Sequence, residues 1–132
     1  MIVTSRVSVC AMEKLFLRLQ RPVPGFDHLA AIDPERLAEL HSVWDEIAPV
    51  LDLDRINDFY VYEGEYGKDR RKWFRAAKGL GAVRSVLEYL RAGRSALNED
   101  QTRAAIALFE IVENILDEAD LRGIAFCFTG DY

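Results

Sequence analysis

The sequence predicts an α+β fold, a single two-layer domain over residues 1–132 in which N- and C-terminal strands form one small sheet and three to four helices pack on it. Three observations predict it. Residues 2–10 are rich in β-branched side chains, residues 124–129 read as a strand with small and apolar residues on both faces, and the stretch between them carries apolar residues at helical spacing. A mostly helical bundle with a small terminal sheet is the alternative. A chain of 132 residues buries roughly two thirds of its unfolded surface, so a core forms without disulfides or metals. Apolar residues make up 50% and charged residues 30%, with 8 Gly and 4 Pro, which excludes a disordered or low-complexity chain.

In residues 2–10, Val3, Val7 and Val9 share one face and Thr4, Arg6 and Ser8 the other, as in a strand. Residues 12–20 fit two periods. Leu15, Leu17 and Leu19 alternate, while Met12, Leu15, Phe16 and Leu19 also share a helix face; the reading adopted is a second strand closing a hairpin. Residues 21–25, Arg-Pro-Val-Pro-Gly, break any regular element. Asp33 then caps a helix with Pro34 at its first position, where the missing N–H costs nothing. Leu37, Leu40, Val43, Trp44, Ile47 and Leu51 recur at helical spacing, and Pro49, unable to donate to the carbonyl of Asp45, is expected to kink or end the helix.

Leu53, Ile56, Phe59 and Tyr60 fit a short helical segment, and residues 59–62 fit a strand equally well. Residues 64–72 read as an exposed charged loop. Leu80, Val83, Leu87 and Leu90 mark a helix that stops at Gly93, which suits a left-handed cap. Asn98 and Gln101 form a capping box ahead of the longest run, in which Ala105, Phe109, Val112, Leu116 and Ala119 alternate steps of four and three. This helix ends before Gly123. Ile124, Phe126 and Phe128 then alternate with Ala125 and Cys127 in a strand apolar on both faces, which places it in a sheet interior.

The net charge of −5 argues against a general nucleic-acid binder. Its layout is uneven. Residues 1–67 hold 6 Lys and Arg against 12 Asp and Glu, residues 68–94 hold 9 against 2, and residues 95–132 hold 2 against 8. The central block either pairs with its acidic flanks or shows a positive face to a partner, and the near match of the blocks favours pairing, within the chain or between subunits, of Arg70, Arg71, Arg75 and Lys78 with Glu110, Glu113, Asp117 and Glu118. No apolar run reaches the ~18 residues of a membrane span, and Arg6 interrupts what would be a signal peptide's apolar stretch, so a soluble cytoplasmic protein is expected. Cys10 and Cys127 lack metal or redox spacing, and a reducing cytosol disfavours a disulfide between them.

The densest candidate site comprises Arg70, Arg71, Trp73, Arg75, Lys78 and Arg84, because guanidinium forks and helix N-terminal amides both bind phosphate or carboxylate oxygens. Gly79-Leu80-Gly81 has neither the third glycine of a dinucleotide fingerprint nor a P-loop ending. The plainer account is that Trp73 and Phe74 anchor a loop whose cations are solvated or paired internally. His41 and Asp45 are one helical turn apart and can meet, as in a general-base or metal site, but a third member is missing and a boundary histidine is the default. His28 lies in a loop. Asp52, Asp54, Asp58, Glu63 and Glu65 fail the calcium-loop pattern at its fifth and sixth positions, Ile56 and Asn57, so Asp52 or Asp54 is expected to cap a short helix instead.

Tyr60, Tyr62 and Tyr66, with Phe59 and beside the cations, have the composition of an interface centre, while filling the core around Pro49 is the favoured account of the same rings. Residues 98–121 as one helix span roughly 36 Å, so part of the apolar stripe, with Phe109 and Leu116, is expected to extend past the monomer's core and support a homodimer. The function expected is a non-enzymatic interaction module that binds itself or another protein, without cofactor or metal. The competing expectation is a binding protein for a small phosphate- or carboxylate-bearing anion at Arg75 and Lys78. A small hydrolase using His41 is the third.

Overall fold

The computed structural model describes residues 14–23, 32–61 and 72–131. They form strand β1 (Lys14–Leu19), helix α1 (Pro34–Leu51), a short 3-10 helix (Ile56–Phe59), helix α2 (Ala76–Arg91), helix α3 (Glu99–Leu121) and strand β2 (Phe126–Asp131). This is an α+β arrangement of three α-helices and a two-stranded antiparallel sheet among the described residues.

Residues 14–19 adopt the strand and not the helix that their spacing also allows. Leu15 and Leu17 are buried while Lys14 is exposed and Phe16 and Arg18 lie between, the period of a pleated ribbon. The partner is β2, with Leu17 opposite Phe128 and Leu19 opposite Phe126. Residues 2–10, the expected hairpin partner, lie outside the described residues, as do Cys10 and His28.

Strand β2 has the interior position that its two apolar faces imply. Beyond β1, its other edge is met by Tyr60 in a parallel bridge and Phe74 in an antiparallel one. The Val61 N–H donates to the Phe128 carbonyl at 2.8 Å, and Phe74 and Phe126 exchange backbone bonds at 2.8 and 2.9 Å. Phe126, Cys127, Phe128 and Thr129 are all buried. The strand starts two residues later than the pattern suggests because Ile124 closes α3: Gly123 takes φ +66°, its N–H reaches the Asp120 carbonyl at 3.1 Å, and the Ile124 N–H reaches Ala119 at 2.8 Å.

Helix α1 starts as expected, the Asp33 carboxylate accepting the Glu35 N–H at 3.0 Å. It runs through Pro49 to Leu51, a correction to the expected break that still leaves the proline within the last turn. There the helix forfeits one backbone bond, and Asp52 ends it with φ 55°, both the Asp52 and Leu53 N–H groups reaching the Ala48 carbonyl. Asp52 therefore terminates a helix rather than starting one. Asp54 does not cap either: its carbonyl accepts the Trp44 indole N–H at 2.8 Å, and the Asp58 carboxylate accepts the Arg55 N–H at 2.8 Å at the 3-10 helix start. Residues 56–60 satisfy both readings of that stretch, a single 3-10 turn followed by a strand-like bridge.

Helices α2 and α3 form an antiparallel pair joined through Gly93 at φ +70° and a reciprocal Asn98–Gln101 capping box with bonds of 2.8 and 3.0 Å. The core runs through all of these elements. Trp44 sits at its centre with ring centroids 6.1, 6.1 and 6.0 Å from Phe59, Phe109 and Phe128. Burying each such side chain contributes about 1.5–3 kcal/mol relative to exposure. Gly79 faces this core: a Cβ there would lie 2.8 Å from Cε1 of Phe126 and closer still to its Cζ. The glycine thus lets α2 approach β2, and packing, not phosphate binding, accounts for it.

Candidate functional site

The central basic block divides on the α2–α3 face. Arg84 Nε donates to Glu113 at 3.1 Å and its Nη2 to Asp117 at 3.4 Å, and Arg91 Nη2 donates to Glu110 at 2.7 Å. Arg84 and Arg91 are two turns apart on one face of α2, and the antiparallel neighbour offers carboxylates at matching intervals. Internal pairing therefore holds for this part of the block. All five side chains keep contact with water, so each pair adds only about 0.2–1 kcal/mol.

The cations at the start of α2 differ. Arg75 occupies the N-cap position, exposed, with no ion pair among the described residues and no side-chain hydrogen bond capping the helix. Lys78 reaches Asp54, and not the long helix, at 3.9 Å with 66% of its side chain exposed, too loose to fix it. Lys72 lies over the Phe74 ring at 5.3 Å. Phe74 is half-buried and meets Phe59 edge-on at 5.5 Å, the anchor expected for this loop, and Trp73 is half-buried beside it in sequence. Arg70, Arg71, Tyr62 and Tyr66 lie outside the described residues, as do Glu63 and Glu65.

Three residues read as interface candidates are core residues instead. Phe109 and Leu116 have no exposed surface and Tyr60 has 8%. The α3 stripe is spent on the monomer's own core, where α2 packs against it on one side and Trp44 of α1 meets Phe109 on another.

His41 and Asp45 do meet. Nε2 lies 3.2 Å from the Asp45 carboxylate but without hydrogen-bond geometry, and it is buried with no other partner among the described residues. The second oxygen of Asp45 accepts the Ile56 N–H at 3.4 Å, which ties α1 to the 3-10 helix. The histidine is thus a half-buried boundary residue, 15% exposed, whose carboxylate neighbour has a structural task. No three His, Cys, Asp or Glu side chains among the described residues gather to hold a metal ion.

Two surface clefts went unread in the sequence. One, of about 300 Å³, lies between α1 and the N-terminal half of α3, lined by Leu40, Val43, Leu97, Ala104, Ala105 and Leu108, with Glu39 and Gln101 at its walls and Phe109 beneath. The other, of about 330 Å³, lies between the C-terminal ends of α1 and α2. Their only sequence signal was apolar residues flanking the core stripes, such as Val43, Leu53 and Leu97. No helix among the described residues is long and apolar enough to cross a membrane.

Compared with protein-family models, with curated proteins and with solved structures, the chain matches none.

Proposed function

We propose that the chain works by binding a polypeptide and not by catalysis, and that this polypeptide is a second copy of itself. The observation that carries the reading is the apolar cleft between α1 and α3, which stays open after the α3 stripe has been spent on the core. The reading takes residues 1–132 as one working unit, and a hydrophobic cluster drawing on all three helices and both strands supports that. Ala104 stands exposed on the cleft wall, where an arginine is compatible with helix and blocks the opening. Light scattering up to several hundred micromolar tests it. A mass of twice 15.1 kDa for the wild type, returning to 15.1 kDa in Ala104→Arg, is the expected outcome. A mass of 15.1 kDa for the wild type across the whole range overturns self-association.

A second reading is favoured by the cations that internal pairing leaves over. Arg75 and Lys78 flank the uncapped start of α2, an arrangement that suits a phosphate or carboxylate. Reversing both to glutamate is expected to abolish inorganic phosphate-induced amide shifts at residues 76–78 while changing stability by less than about 1 kcal/mol. Shifts at these residues that survive the reversal would show that Arg75 and Lys78 do not hold the anion, and would overturn this reading.

A further inference from the structure

We propose that the cleft between the C-terminal ends of α1 and α2 binds a small zwitterion with an apolar side chain, of the class of a free aliphatic α-amino acid. Its opening of about 330 Å³ falls at the small end of ligand pockets, roughly 300–1,000 Å³. Leu51, Leu53 and Tyr89, all half-buried, supply an apolar floor. Glu88 and Arg94 line the same cleft, are exposed, and carry opposite charges. Neither has an ion pair among the described residues, whereas Arg84 and Arg91 of the same helix are both paired.

The local backbone explains how the two charges share one cleft. Gly93 turns the chain at φ +70°, and the Arg94 N–H returns to the Tyr89 carbonyl at 3.5 Å, so the Arg94 backbone folds back onto the last turns of α2, which bear Glu88, and both residues line the one cleft. An ammonium group fits Glu88 beside the negative end of α2, and a carboxylate fits the Arg94 fork. A purely anionic ligand meets repulsion from Glu88, and a purely cationic one meets it from Arg94. Only a ligand bearing both charges satisfies both residues, and its apolar side chain then covers the leucine floor.

The test is a titration of the full chain by amide chemical shifts with L-leucine, N-acetyl-L-leucine and L-leucinamide. Leucine is expected to shift residues 51–53 and 85–94 saturably in the millimolar range, and each one-charge analogue to bind about tenfold more weakly. Arg94→Gln should weaken leucine by about the same factor and spare leucinamide, and Glu88→Gln should weaken leucine and spare N-acetyl-leucine. No saturable shift by about 50 mM leucine, or equal binding of all three compounds, overturns the proposal. The analogue series decides the matter even if a variant misfolds, and it is independent of the cleft between α1 and α3.

Discussion

Replacing Phe109 by alanine is expected to lower stability by about 3–5 kcal/mol in urea or guanidinium denaturation. The ring has no exposed surface and stacks at a tilt against Trp44, with centroids 6.1 Å apart, where α3 crosses α1. Truncation removes the burial of the ring and leaves a cavity that its neighbours fill only in part. Trp44 cannot move into it without giving up its 2.8 Å bond to the Asp54 carbonyl, which would strand a buried donor. Asn114→Ala, exposed on the same helix, is the control and should change stability by less than about 0.5 kcal/mol. A loss below about 1 kcal/mol for Phe109→Ala would show that the ring is not held between the helices as described.

The elements legible in the sequence are those whose signals are local. Asp33-Pro34 and the Asn98–Gln101 box each start a helix by bonds that span two or three residues, and Gly93 and Gly123 end helices by taking a positive φ. The α3 stripe is equally local, which is why its buried residues could be named. What covers that stripe is not local. Phe109 and Leu116 suggested a partner only because one sequence does not show α2 and α1 closing over them. The charge blocks have the same character. Their near balance pointed to internal pairing, but which arginines pair depends on the antiparallel register of α2 against α3, and it selects Arg84 and Arg91 while leaving Arg75 in water. Pro49 gave a signal whose strength depended on position, since a proline one turn earlier would have ended α1 outright. The clefts were illegible because each takes its walls from two elements distant in the chain.

Truncating Phe126 to alanine should also cost about 3–5 kcal/mol, and it should reverse the sign of a second substitution. In the wild type, Gly79→Ala forces a Cβ against the Phe126 ring, an overpacking cost of about 1–3 kcal/mol. Alanine's better helix propensity returns only about 1 kcal/mol, so the variant is expected to be destabilised or at best neutral. Gly81→Ala, two positions along α2 with no atom within 4 Å of the added carbon, collects the propensity gain alone and should be stabilised by up to about 1 kcal/mol. In the Phe126→Ala background the obstructing ring is gone, and what faces Gly79 is the flexible end of Leu116 at 3.3 Å. Gly79→Ala should then stabilise, both through propensity and by filling part of the cavity. The double-mutant cycle is therefore expected to show a coupling of about 1–3 kcal/mol between Gly79 and Phe126. Equal effects of Gly79→Ala in the two backgrounds would mean that the Phe126 ring does not set the approach of α2 to β2.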